Sequence, residues 1–76
     1  MKKIENSECL ADFGRFVKSR REALNLYQED VANGAGISQV YYSQIERGVR
    51  CPTFVTALKV CQVLNLNMND FIKQYL

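Results

Sequence analysis

The sequence predicts an all-α protein. Apolar residues recur at helical spacing along nearly the whole chain, no stretch of four or more residues alternates apolar and polar between turn signals, and helix-capping residues fall between the periodic segments. With 76 residues, 47% hydrophobic and 24% charged, the chain has the composition of an ordinary globular domain and room for one, covering 1–76. A domain of this size buries only roughly 60% of the surface its unfolded chain exposes, so support from a partner subunit is expected.

The first helix is expected from about Ser7 to Leu24, with Leu10, Phe13, Val17 and Leu24 on one stripe and Lys18, Arg20, Arg21 and Glu22 largely off it. Asn25 can end it, because asparagine tolerates the left-handed conformation common just past a helix. A short second helix follows from about Gln28 to Gly34, with Glu29 and Asp30 where the helix dipole favours negative charge. After Gly36 and Ile37, Ser38 is a strong cap for a third helix from Gln39 to about Arg47, closed by Gly48. Pro52 and Thr53 open a fourth, carrying Phe54, Leu58, Cys61 and Leu64, and Thr53 can cap it. A fifth starts after Asn67, and Met68, Phe71, Ile72, Tyr75 and Leu76 form an apolar stripe that reaches the last residue.

Ten Lys and Arg against eight Asp and Glu give a net charge of +2, which neither demands a polyanionic partner nor excludes one. The three cysteines, Cys9, Cys51 and Cys61, have no Cys-x-x-Cys spacing, and there is no histidine, which argues against a disulfide scaffold and a zinc site. Reduced cysteines and the lack of a membrane-length apolar run predict a cytoplasmic protein. No nucleophile–base pair or phosphate loop appears, so neither catalysis nor a cofactor is expected, and no small-molecule effector or membrane partner is evident.

Between Gln28 and Arg47 the order is short helix, small-residue turn, short helix. Two helices crossing at about 90–120° over a turn of three or four residues bring their backbones close, which favours Ala32 at the contact and Gly36 where the chain reverses. Val31, Ala35, Ile37, Tyr42 and Ile45 fill the angle between them. The segments Tyr27-Gln28-Glu29-Asp30-Val31-Ala32, Ala35-Gly36-Ile37-Ser38 and Tyr41-Tyr42-Ser43-Gln44-Ile45-Glu46-Arg47-Gly48, followed by Pro52, resemble the helix-turn-helix of the lambdoid phage repressor and Cro (Xre-like) family. The resemblance extends from about Phe13 to Phe71. It implies a five-helix, lambda-repressor-like domain whose third helix enters the major groove of double-stranded DNA, with dimers reading half-sites roughly 34–36 Å apart.

The readers follow from helix geometry. With Tyr42 and Ile45 fixing the buried side, Val40, Ser43, Gln44 and Arg47 lie opposite. Gln39, at the end this motif presents to base edges, is the first choice for direct readout, since a Gln amide can pair adenine bidentately. Gln44 is the second, Val40 can meet a thymine methyl, and Tyr41 or Ser43 can add base or phosphate contacts. Phosphate contacts are assigned to Gln28, where relatives commonly hold a phosphate, and to Ser38, Arg47 and Arg50. The run Arg15, Lys18, Arg20 and Arg21 reads instead as a solvated face.

Glu46, an acid in the last turn of a helix, needs an offsetting cation. The resemblance implies a structural pair with Arg21. Tyr27 stands where Ser or Thr usually caps the second helix, and Gly34 sits late in that helix; both weaken it by up to about 1 kcal/mol. The fifth helix carries more apolar surface than a closing element needs, so a homodimer is expected through Phe71, Ile72, Tyr75 and Leu76, with Val55 or Val63; the alternative is that the stripe folds back onto its own core.

A stand-alone domain of this kind resembles phage Cro-like repressors and restriction–modification controller proteins, and the resemblance implies a bacterial or phage-encoded transcriptional regulator. A protein-interaction module such as an antitoxin is the second reading, and a redox role for Cys51 beside Arg50 the third.

Overall fold

The computed structural model describes residues 5–76, and among them it contains five helices and no strand. These are α1 (Asn6–Ala23), α2 (Gln28–Ala35), α3 (Gln39–Glu46), α4 (Phe54–Val63) and α5 (Met68–Tyr75). The longest, α1, packs on α3 and α5, while α2 packs on α3 and α4. Val17, Val31, Tyr42, Ile45, Val60 and Leu64 are fully buried where these contacts meet.

Each of the first four helices ends in the same way. A residue with positive φ (Asn25 at 57°, Gly36 at 69°, Gly48 at 71° and Asn65 at 53°) turns the chain, and the next N–H reaches back to a carbonyl of the last helical turn. Leu26 donates to Arg21 O at 3.1 Å, Ile37 to Ala32 O at 3.0 Å, Val49 to Gln44 O at 3.1 Å and Leu66 to Cys61 O at 2.8 Å. An apolar residue follows every turn, as this cap favours. Starts are as local as stops: Ser38, Thr53 and Asn67 each accept a backbone N–H from the first turn of α3, α4 and α5. At α2 the Tyr27 side chain does not cap; instead Asp30 Oδ2 accepts the Tyr27 N–H at 2.8 Å.

Three residues of the expected apolar segments lie on the surface. Phe54 is 75% exposed and Leu58 44%, because α4 turns Ala57, Val60, Cys61 and Leu64 towards α2 and the core. Leu24 lies past the last turn of α1 and is also exposed. On α5 the stripe divides. Phe71 is buried at 5%, its ring edge-on to Phe13 with centroids 5.6 Å apart and 5.4 Å from Phe16. Tyr75 packs edge-on to Phe16, whereas Ile72 and Leu76 stay half-exposed. Phe71 is thus a core residue, and the surface expected of the whole stripe narrows to its outer edge.

Two glycines allow close packing. A Cβ on Gly14 would lie 2.7 Å from Ile45 O and closer still to Glu46 O, so α1 can approach the end of α3 only without a side chain there. Gly34 sits under Val63, where a Cβ would meet a methyl at 2.9 Å; this contact between α2 and α4 accounts for a glycine late in α2.

Candidate nucleic-acid interface

The turn between α2 and α3 sets the interface. Gly36 reverses the chain, Ile37 packs against the core, and Ser38 Oγ accepts the Tyr41 N–H at 3.1 Å, which starts α3 with its first residues outward. Tyr42 and Ile45 anchor the inner side at 0% and 1% exposure. Gln39, Val40 and Arg47 are exposed as a consequence, with Val40 at 68%.

Residues from both helices converge on one shallow cleft of about 460 Å³, lined by Gln28, Gln39, Val40, Ser43 and Arg47. Four of the five come from α3 and its C-terminal cap, and Gln28 is the first residue of α2. The outer face thereby offers two amides, a hydroxyl, a methyl pair and a guanidinium, a set able to meet base edges and phosphates together. Gln44 is half-buried and Ser38 exposed, and neither lines this cleft. Arg50 and Tyr41 form a separate pair, the guanidinium carbon lying 5.1 Å from the ring centroid.

Behind this face a polar cluster joins three elements. Arg21 Nε donates to Glu46 Oε2 at 2.6 Å, one Arg21 Nη to Glu46 Oε1 at 3.1 Å and the other to Leu26 O at 2.9 Å. Gln28 Nε2 adds a bond to Glu46 Oε1 at 3.0 Å, so its amide is tied to the scaffold as well as bordering the cleft. Burial pushes the Glu46 carboxyl up, but Arg21, the nearby Tyr42 hydroxyl and Gln28 outweigh it and hold it below its ordinary value of 4.5. The Tyr42 hydroxyl is buried without a hydrogen-bond partner among the described residues, and its burial raises its pKa.

Some anchoring was missed by sequence reasoning. Arg20, counted among a solvated run, donates Nε to Leu64 O at 2.9 Å and so caps the end of α4. An arginine on the first helix gives no local sign of a partner 44 residues away. Gly14 did give a sign, a glycine inside an otherwise helical apolar pattern. Arg15 pairs with Asp12 on the same helix, and Lys18 is exposed.

A helix-turn-helix family model matches residues 17–71. The chain is 42% identical over 57 residues to the uncharacterized HTH-type transcriptional regulator y4dJ of Sinorhizobium fredii, covering 75% of this chain and 73% of that protein. It is 32% identical to the ImmF control region 10 kDa protein of Bacillus phage phi105, covering 74% and 62%. Among solved structures, the restriction-modification controller protein C.AhdI from Aeromonas hydrophila superposes with a TM-score of 0.77 at 31% identity, over 82% of this chain and 94% of that one. No helix among the described residues is long and apolar enough to cross a membrane. The chain belongs to the helix-turn-helix family, one of DNA-binding transcriptional regulators rather than of enzymes.

Proposed function

We propose that the protein regulates transcription as a homodimer on a roughly two-fold-symmetric operator, with α3 in the major groove. The observation that carries this reading is the convergence of Gln28, from α2, with Gln39, Val40, Ser43 and Arg47 on one exposed cleft. Gln39 and Val40 read base edges, with Ser43, Gln44 and Tyr41 beside them, and Gln28, Ser38, Arg47 and Arg50 hold phosphates. Likeness to C.AhdI favours a small regulator of the controller or Cro-like kind, acting in the cytoplasm where its DNA lies. The dimer contact is assigned to Ile72 and Leu76, with the outer part of Tyr75, and to Val55 on α4, which is 56% exposed.

Selection of bound sequences from random duplexes, followed by salt titration of the best site, tests this. A symmetric site is expected, with log K falling linearly against log salt at a slope of about −0.9 per phosphate neutralised. Absence of any enriched sequence would refute the reading.

A further inference from the structure

The chain leaving α3 passes directly over α1, where a Cβ on Gly48 would lie 2.8 Å from the Cα of Ala11. Three residues later Cys51 lines, together with Cys9, an apolar cleft of about 180 Å³ whose walls include Phe13, Pro52, Met68 and Phe71. Two of the three cysteines, 42 positions apart in sequence, thus share one small site. Both are free thiols; Cys51 is exposed and Cys9 partly so. Cys61 is different. It is 3% exposed with its sulfur 3.9 Å from Met68 Sδ, and burial pushes its thiol up, which keeps it protonated.

We propose that Cys9 and Cys51 form a reversible thiol–disulfide site oxidised by hydrogen peroxide, in which Cys51 is oxidised first and Cys9 resolves it. Exposure sets that order, because a small uncharged peroxide reaches Cys51 directly and Cys9 only through the cleft. In the first step the Cys51 sulfur attacks the peroxide, the O–O bond breaks, one oxygen stays on sulfur as the sulfenic acid and the other leaves as water. In the second, the Cys9 thiolate attacks that sulfur, the S–S bond forms, the S–O bond breaks and a second water leaves. Two thiols lose two electrons and two protons, and hydrogen peroxide gains them.

Closing the bond ties the first turns of α1 to the segment between α3 and α4. Arg50 immediately precedes Cys51 and stacks on Tyr41 of α3, so the constraint lands beside the proposed DNA face. That consequence rests on the DNA-binding reading; the bond itself does not.

The test uses the whole protein and no DNA. Protein treated with a small excess of hydrogen peroxide is alkylated, weighed intact and digested. The expected product is lighter by two hydrogen atoms, carries a Cys9–Cys51 linked peptide, and regains both thiols with dithiothreitol. In Cys9→Ser, Cys51 should stop at the sulfenic acid and be captured by dimedone. Thiols that both stay open to alkylation would overturn the proposal, as would a Cys51 that oxidises in the wild-type protein without joining Cys9 or that links to a second copy instead.

Discussion

Arg21 meets Glu46 side-on, with two nitrogens of its guanidinium donating to the two oxygens of a carboxylate that is only 2% exposed. The remaining nitrogen bonds Leu26 O, so one side chain joins α1, the turn after it and the last turn of α3. Removing one partner of a buried pair leaves an uncompensated charge, which costs about 3–5 kcal/mol. Arg21→Ala should show this loss in its denaturant midpoint while DNA affinity per folded molecule stays unchanged. Arg21→Lys should lose part of it, since an ammonium cannot make the fork. Normal stability with lost DNA binding would reassign Arg21 to the DNA.

The same pair sets a response to acid. Glu46 has its folded-state pKa held below 4.5, so as pH falls the unfolded chain takes up this proton first. Its contribution is complete above the unfolded value and drains away as pH drops through the folded one. Stability of the wild-type protein should therefore decline from about pH 5 downward, while Glu46→Gln should start lower and fall less steeply. Denaturation series at several pH values decide it: parallel curves would place the acid sensitivity on other carboxyls.

Gly14 and Gly36 separate two uses of glycine. Gly14→Ala places a methyl against the backbone carbonyls of Ile45 and Glu46, which cannot give way as a side-chain tip can. A loss of about 1–3 kcal/mol or more is expected, as for overpacking. Gly36→Ala meets nothing within 4 Å and suffers only from its φ of 69°, about 1 kcal/mol. Equal losses in thermal or chemical unfolding would contradict the close approach of α1 to α3.

Ser38, Thr53, Asn67, Asn25 and Gly48 could be read as helix ends from sequence because a cap is a local device, complete within a few residues. Which side of α4 faces inward is not local. Phe54 and Leu58 share a helical stripe with Cys61 and Leu64, but the position of α2 selects Ala57 and Val60 instead. The division of α5 between buried Phe71 and exposed Ile72 likewise depends on where Phe13 and Phe16 stand. The candidate site follows the same rule: Gln39 and Val40 follow from the periodicity of α3, whereas the bond from Gln28 to Glu46 spans 18 residues and two helices.

Gln39 and Arg50 should fail differently on DNA. Gln39→Ala should relax preference at one base pair per half-site, worth about 1–3 kcal/mol of discrimination, whereas Arg50→Ala should weaken all duplexes alike and flatten the salt slope by about 1. Tyr41 belongs with Arg50, because its ring holds the guanidinium at 5.1 Å. Tyr41→Phe keeps that face and should lose only the hydroxyl's contact to DNA; Tyr41→Leu should also reproduce a fraction of the Arg50→Ala loss, about 0.5–1 kcal/mol for an exposed cation–π contact. Equal loss on every sequence for Gln39→Ala would remove it as a reader.

Assembly turns on neighbours in α5. Ile72 is 52% exposed and lies outside the buried core, so Ile72→Glu should leave the unfolding midpoint of the monomer nearly unchanged. If the outer edge of α5 is the dimer contact, that charge meets its own copy across the two-fold axis, and sedimentation should show a monomer where the wild-type protein is a dimer. Phe71→Ala acts on the fold instead: losing a buried ring from the contacts with Phe13 and Phe16 should cost about 3–5 kcal/mol. A dimer that survives Ile72→Glu would move the interface to the exposed side of α4, where Phe54, Val55 and Leu58 offer the alternative apolar surface.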